Sequence, residues 1–476
     1  MTDPLVELGR NATARRLFKS LGLPLPLPAA LRRTRGTLAA QPLADRSVLV
    51  GAADRPALLA TVAETLAPAG AAPWLAVSTD DHGLFAAVGE AWGRAPRSES
   101  DLDENGRVDA LVFDASGLDG ASSLKALHAF FQPRLRRLGR CGRVVILGRP
   151  VDEPGLRPGA VAAQAALDGF GKSLGKEIGA TGATVNVLRV ETGAETALTG
   201  VLRWFLTERS AFVAGQSLRV NARGAVDGDA LRVRPLERQV ARVTGAAQGI
   251  GAATARALAA EGAHVLCLDR PQEDAAVARL ARELDGTPVL ADLGDAVAAA
   301  DVVRAAVKAR GGVDVVVHNA GVTRDRTLGR MKEEHWDAVL GINLGAVLTL
   351  DAALDGLLRD GGRVVCLASI AGIAGNVGQT AYAASKAALG GWVRARSREA
   401  SARGVTYNAV APGFIETRMT AAVPMAIREA GRRLSALGQG GLPEDVANTI
   451  TFLASPAAAG VTGQTLRVCG GAFLGA

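Results

Sequence analysis

One pattern occurs twice in this chain, and that repeat constrains the architecture more than any single motif. Val313–Gly321 (VDVVVHNAG) has its counterpart in Val108–Gly117 (VDALVFDASG), and Gly362–Gly372 (GRVVCLASIAG) in Gly142–Pro150 (GRVVILGRP). Lys386–Trp392 (KAALGGW) answers to Gln164–Phe170 (QAALDGF), and Gly404–Gly413 (GVTYNAVAPG) to Gly182–Gly193 (GATVNVLRVETG). Val461–Val468 (VTGQTLRV) answers to Val213–Val220 (VAGQSLRV). The order is the same in both halves, so chance similarity of Ala/Val-rich strings is a weak explanation; two copies of one fold is the better one.

Each copy alternates short β-branched runs with longer helical patterns. In the second copy ARVTGAA, HVLCLD, DVVVHNAG, RVVCLAS, VTYNAVAPG and QTLRV read as buried strands, and LADLGD closes a further one. Between them ATARALAAEGA, DAVAAADVVRAAVKARG, HWDAVLGINLGAVLTLDAALDGLL and YAASKAALGGWVRARSREASARG read as amphipathic helices. Such alternation implies right-handed crossovers and parallel sheets. The expected class is α/β: two doubly wound parallel-sheet (Rossmann-like) domains, the N-terminal one a degenerate copy of the C-terminal one. A 476-residue chain has room for both, and its 4% aromatic content leaves Ala, Val and Leu to build the cores. The boundaries expected are an N-terminal extension at 1–45, where LGLPLPLPAAL excludes a continuous helix, the degenerate domain at 46–223, a polar linker at 224–239 and the second domain at 240–476.

The net charge of +7 does not point to nucleic acid. Only seven of the 54 basic residues are Lys, the Arg are scattered, and aromatic side chains for base stacking are scarce. No apolar run of ~18 residues is free of charge, so no membrane span is expected. The N-terminus carries Asp3 and Glu7 and lacks a signal-peptide pattern, which with four dispersed Cys (Cys141, Cys267, Cys366, Cys469) suggests a cytoplasmic protein with reduced thiols. His is too rare and dispersed for a metal cluster, so no metal is expected.

Chemistry concentrates in the second copy. Thr244–Gly251 (TGAAQGIG) follows a strand and opens a helix; glycines at 245, 249 and 251 let the backbone approach a pyrophosphate, while the helix N-terminus offers amides and a positive dipole. Asp269 ends the next strand, close to the ~20-residue offset expected for a carboxylate that bonds a ribose 2′-hydroxyl, and an acid there repels a 2′-phosphate. NAD(H) is therefore favoured over NADP(H), with Arg270 the counter-argument. Asp292 ends the third strand, placed either for an adenine edge or as a helix N-cap, and His318–Gly321 ends the fourth. Tyr382 and Lys386 stand i, i+4 on one helical face. With two Tyr and seven Lys in 476 residues, such a pair arises by chance about 0.03 times. A Tyr of ordinary pKa ~10 is a poor acid/base, and a nearby ammonium with a cationic nicotinamide is expected to draw it toward ~7. Ser369 closes the preceding strand, where its hydroxyl can hydrogen-bond a carbonyl, and Asn343 could hold a water leading to Lys386.

TGxxxGxG, NAG, N, S, YxxxK and PG in this order resemble the short-chain dehydrogenase/reductase family. TGAAQGIG, YAASKAAL, NAVAPGFIETRMT and VTGQTLRVCGG resemble its 3-oxoacyl-ACP reductase branch, and the two-copy layout its high-molecular-weight members. The resemblance is specific over 240–476. It implies that Tyr382 donates the proton, Ser369 orients the carbonyl, Lys386 binds the nicotinamide ribose, and Asn343 completes a proton relay. It implies a cofactor site built from Gly245, Gln248, Gly249, Ile250, Gly251, Asp269, Asp292, Leu293, Asn319, Gly321, Tyr382 and Lys386, with Ile415 and Thr417 facing the nicotinamide carboxamide. His318 departs from the usual Asn of NNAG, and Gln248 stands where NADPH-using members often carry Arg.

Aligned with the second copy, the first has lost the chemistry. Ala160 stands opposite Tyr382, Gln164 opposite Lys386 and Arg149 opposite Ser369, while Arg55 and Ala57 replace two loop glycines. A deletion of 26 residues, the difference between the Gln164/Lys386 and Gly215/Gly463 offsets, removes the counterpart of IETRMT…GGLPEDVAN, the segment expected over the substrate. The expected activity is reduction of a 3-oxoacyl thioester of ACP or CoA by NADH in fatty-acid metabolism, by a homodimer paired through the helices of Asn343 and Tyr382. Oxidative action on a secondary alcohol or 3-hydroxyacyl-CoA, and a scaffold docking a dehydratase or synthase through the N-terminal half, are the alternatives.

Overall fold

Parallel strands covered on both faces need near-continuous apolar runs, and the chain supplies two sets of them. The computed structural model describes residues 3–11, 13, 20, 27–34, 36–222, 233–421 and 423–472. In the first set, β1 (Ser47–Ala52), β2 (Ala72–Ala76), β3 (Arg97–Ser98), β4 (Val108–Asp114), β5 (Leu138–Gly148), β6 (Thr184–Val190) and β7 (Gln216–Val220) form one sheet in the order β3-β2-β1-β4-β5-β6-β7. In the second, β8 (Val240–Thr244), β9 (His264–Asp269), β10 (Thr287–Leu290), β11 (Val313–His318), β12 (Leu358–Leu367), β13 (Thr406–Pro412) and β14 (Thr465–Val468) run β10-β9-β8-β11-β12-β13-β14. Every pairing is parallel. Both sheets reverse their strand order after their first strand, which opens a ligand crevice at the carboxyl ends of β8 and β11 in the second sheet. The chain is thus two Rossmann-like α/β units of one topology, as the repeat implied.

The two units share a core. Leu198, Val201, Leu202 and Phe205 on the helix Glu195–Leu206 belong to one buried cluster with Val446, Ile450 and Leu453 on the helix Pro443–Ala454. Trp204 stacks on Phe452 at 4.4 Å and 14° across this seam. The edge strands meet reciprocally: Arg219 N donates to Gln464 Oε1 (2.8 Å), and Arg467 N donates to Gln216 Oε1 (3.3 Å). Phe212 from the first unit lies against Gly441 and Gly470 of the second, and its carbonyl accepts Gly470 N–H at 2.8 Å. Burying each such large side chain contributes on the order of 1.5–3 kcal/mol.

Before the first sheet, Asp3 caps the short helix Pro4–Arg10, its Oδ1 accepting from Leu5 N at 3.0 Å. The Pro-rich residues 21–26 lie outside the described residues, as do 223–232 of the expected linker. The remainder of that linker is not loose: Leu236 is buried and its N–H donates to Glu261 O. All four cysteines are buried and unpaired.

Candidate active site

The loop after β8 is shaped by glycine at positions where a side chain would be strained or would have no room. Gly249 has φ +58° with open space where a Cβ would stand, and a Cβ on Gly251 would overlap Gly245 O. The helix Gly249–Ala260 begins at Gln248 without a side-chain cap, leaving its first amides facing the crevice. Asn319 fixes the loop from β11: its Nδ2 donates to Thr244 O (2.8 Å) and Gly245 O (3.2 Å), while Thr244 Oγ1 accepts the N–H groups of Asn319 and Ala320. These features fit the diphosphate of a dinucleotide. Ile250, in the first turn, is half-buried against the shared core.

Asp269 Oδ2 accepts from Ala247 N at 2.9 Å, so the carboxylate stands beside the glycine loop. Arg270 turns to Glu273 Oε1 at 3.0 Å. Asp292 is exposed and accepts from Gly294 N, but it is not the N-cap of Ala296–Lys308; Asp295 is, accepting from Ala298 N. Leu293 packs partly buried beneath it. Gln248 accepts from Arg418 Nη1 at 3.2 Å.

The helix Thr380–Glu399 brings Tyr382 and Lys386 to the same cleft. Lys386 is buried, donates from Nζ to Leu367 O at 2.7 Å, and lies 5.8 Å from the Tyr382 ring centroid. Burial draws its pKa down to about 8. Among the protein groups around Tyr382, burial pushes its pKa up, the Ser369 hydroxyl opposes this, and Asp325 adds to the rise. The Lys386 ammonium donates to Leu367 O at the strand end, and the protein groups around the phenol leave its pKa raised.

Ser369 follows β12 and its Oγ accepts from Ala371 N at 3.1 Å. Asn343 sits in a π-helical turn, Gly341–Gly345, inside a longer helix. A π-bulge of this kind re-aims a side chain out of the i, i+4 ladder and is frequent at functional sites. Asn343 Oδ1 accepts from Val322 N (2.8 Å), and its Nδ2 donates to Val322 O (3.0 Å) and Ser385 Oγ (3.1 Å). A Cβ on Gly321 would come within 3.1 Å of Asn343 Oδ1 and 3.2 Å of Lys386 Nζ, so this glycine keeps a gap bordered by both. The 21-residue stretch Glu333–Ala353 around Asn343 contains an 18-residue window of mean hydropathy 1.2, long and apolar enough to cross a membrane, yet here it holds the site.

His318 is buried between strands, both ring nitrogens 3.3 Å from Arg242 Nη2, with its ring edge-on to Trp392. Burial and then Arg242 hold it well below its ordinary pKa, so it is neutral; burial takes Arg242 to about 10. It is a packing residue beneath the sheet's mouth.

The segment after β13 closes the cleft. Thr417 N donates to Thr420 Oγ1 and Thr420 N to Thr417 Oγ1, a reciprocal turn that begins the helix Arg418–Ala421. The Ile415 side chain is 3% exposed and belongs to the shared core, which leaves its backbone, bridged to Gly441, as the part that can face a ligand. Motif reading also missed Glu416, buried in a pair with Arg432 (2.6 Å) on the helix Met425–Arg433.

A family model described as Enoyl-(Acyl carrier protein) reductase matches residues 245–472. The 3-oxoacyl-(acyl-carrier-protein) reductase FabG of Thermotoga maritima is 42% identical over 243 residues, which is 50% of this chain and 98% of that protein. The chain belongs to the short-chain dehydrogenase/reductase family. The FabG of Vibrio cholerae is 41% identical over 50% of this chain and 99% of its own length, and that of Escherichia coli 38% identical over 50% and 98%. A solved blue fluorescent protein from a metagenomic library, in complex with NADPH, is 35% identical, covering 50% of this chain and 98% of its own with a TM-score of 0.47.

As a short-chain dehydrogenase/reductase the chain is an oxidoreductase using a nicotinamide cofactor, and its first unit packs its own side chains around the matching loop. A Cβ on Gly51 would overlap the Phe130 ring, and Arg55 pairs with Asp119. Asp114 is fully buried and accepts from Leu58 N (2.7 Å) and Ser116 N (2.9 Å), so a carboxylate of the chain itself takes up an amide at the start of the helix Leu59–Leu66. Gln164 Nε2 donates to Ala115 O, and its Oε1 accepts from Arg149 N.

Proposed function

We propose that this reductase transfers hydride from NADH to the 3-oxo group of an acyl thioester carried by ACP or CoA, giving a 3-hydroxyacyl thioester for fatty-acid metabolism. The convergence of Tyr382, Lys386, Ser369 and Asn343 on the crevice at the carboxyl ends of β8, β11 and β12 carries this reading, and the similarity to 3-oxoacyl-ACP reductases supports its substrate class. Gly245, Gln248, Gly249, Ile250, Gly251 and Asn319 would hold the diphosphate, Asp269 the adenine-side ribose, Asp292 and Leu293 the adenine, and Gly321, Tyr382 and Lys386 the nicotinamide ribose. Thr417 and the Ile415 backbone would meet the carboxamide. The reduced nicotinamide supplies the hydride when bound. Ser369 Oγ hydrogen-bonds the substrate carbonyl, Tyr382 gives its phenolic proton to the developing alkoxide, and Lys386 stabilises the resulting phenolate. Asn343 holds the route by which that proton is replaced. Because burial alone raises the phenol's pKa, the lowering that this acid needs must come with the cationic nicotinamide.

Asp269 beside the loop and Arg270 engaged by Glu273 support NADH over NADPH. Residues 46–223 then form a non-catalytic domain and 240–476 the catalytic one. With β7 and β14 facing each other inside one chain, a homodimer would pair through the helices bearing Asn343 and Tyr382; light scattering reporting a tetramer at micromolar concentration would refute it. The buried, unpaired thiols suit a cytoplasmic enzyme.

The test is initial rates on acetoacetyl-CoA with NADH and NADPH beside Tyr382→Phe. Fast NADH oxidation abolished in the variant is expected. A preference for NADPH would overturn the role given to Asp269 alone, and no rate with either cofactor in protein that still binds NADH would overturn the substrate class.

A further inference from the structure

The segment following β13 crosses the crevice. It leaves β13 at Pro412, and Arg418 reaches Gln248 at the loop after β8, so it spans the ends of β12 and β11 between them. Its second helix, Met425–Arg433, turns two neighbouring arginines to different tasks. Arg432 is buried against Glu416 (2.6 and 3.0 Å) and ties the helix down to the segment along the cleft. Arg433 reaches outward and takes Asp3 with both guanidinium arms, at 2.8 and 2.9 Å, and Glu429 Oε2 at 2.9 Å.

Asp3 lies 430 positions away in sequence and its side chain is 7% exposed. It is a built contact, because the carboxylate that receives Arg433 also caps the helix Pro4–Arg10. Burial raises its pKa, but the bonds and charge of Arg433 and the Leu5 amide outweigh this and keep it below the usual carboxylate value, hence ionised. Val6 and Gly9 bury the inner side of that helix, with Gly9 close to Pro28 O. Residues 27–34 then run along the return of the same segment: Ala29 O accepts from Gln439 Nε2 (2.7 Å), and Arg33 takes Asp445 bidentately at 2.8 and 2.9 Å. The extension therefore grips the cover at the end of its helix and again at its base, while Met425 and Ile427 on that helix stay exposed at 72% and 61%.

We propose that the N-terminal extension positions the cover of the substrate cleft, the Asp3–Arg433 pair holding the helix Met425–Arg433 in the conformation that accepts the acyl thioester. Asp3 and Arg433 are positioning residues that act through the helix, and the substrate named here rests on the function proposed above. Neither touches the crevice floor with Tyr382, so breaking the pair lowers the fraction of enzyme competent to bind without altering the chemical step.

In the full-length chain, Asp3→Ala and Arg433→Ala should each raise KM for acetoacetyl-CoA roughly tenfold, in line with loss of a charged, largely buried hydrogen-bonded pair, with kcat within about twofold. Hydrogen exchange in residues 423–437 of the free protein should quicken while the helix Thr380–Glu399 is unaffected. Asp3→Glu should recover most of the loss, and the exchanged pair Asp3→Arg with Arg433→Asp part of it. Unchanged exchange and KM would overturn the proposal, as would loss of protection throughout the chain, which would make the pair a general stabiliser. Should the unaltered enzyme not turn over acetoacetyl-CoA, the substrate reading fails alone, and the exchange measurement still decides whether Asp3 holds the cover.

Discussion

The two units have the same strand order and answering motifs at most of their strands, yet only the second carries the Tyr, Lys, Ser and Asn set at its strand ends. Their difference separates what makes this fold from what makes it react. The apolar runs that stack into parallel sheets persist in both, because β-branched side chains buried on two faces are enough to specify them. What changed lies at the strand ends, on the helix that carries Ala160 and Gln164, and in the segment missing after β6. Lys386 Nζ donates to Leu367 O, and the amide of Gln164 donates to Ala115 O, so a buried donor survives at the matching helix position without its charge. Structure needs the donor; chemistry needs the ammonium, and burial has drawn that ammonium to about 8.

The sharpest way to break this comparison is to exchange the deciding residues. Tyr382→Phe should lower kcat about 10²–10⁴-fold with little change in nucleotide affinity, the range expected for losing a general acid. Placing the set in the first unit (Ala160→Tyr, Gln164→Lys, Arg149→Ser) in that variant should restore nothing, because Phe130 and Asp114 already occupy the space and the amide a nucleotide would use. Recovered turnover would show that the first unit is only chemically, and not sterically, silenced.

Next in size is the seam. Phe212→Ala removes a ring packed on Gly441 and Gly470 and should cost ~3–5 kcal/mol in denaturant unfolding, with weaker nucleotide binding because Gly441 holds the Ile415 backbone. A loss under about 1 kcal/mol would mean that the units do not depend on one another.

Smallest is the cost of the buried charge on Lys386. Lys386 has a folded pKa of about 8 against 10.5 for the free side chain. Between these values the unfolded chain binds more protons, so stability rises with pH across that window and the penalty is fully present below it. Compared with Lys386→Met, the unaltered protein should gain ~3 kcal/mol between pH 7 and pH 10.5. Parallel stability curves would show that the ammonium is not desolvated.

Local chemistry was legible in the sequence, because a glycine loop or a Tyr and Lys one turn apart is written within a few residues. So was the doubling of the fold, since parallel strands carry their own apolar signature. Long-range events were not. No spacing reports that Phe130 would lie on Gly51, that Asp3 would meet Arg433, or that Ile415 would turn inward to a core shared by both units. Asp292 reads on paper as a possible helix N-cap, but the side chain that caps the helix is that of Asp295, three residues on. The direction of the Tyr382 shift depended on how deeply the phenol is buried and on Ser369 and Asp325 beside it, which are set by other elements.

The seam between the units has a further consequence. Two identical chains meeting about a twofold axis must use the same residues on both sides, so an improvement on one face is forced on the other. Here the faces are encoded separately: Phe212 could become large on one side while Gly441 and Gly470 stayed small on the other, and Trp204 could find Phe452. Because the partners are tethered, dilution does not separate them. The first unit is a subunit interface carried within the same chain, intact at any concentration and free to diverge everywhere except where it touches.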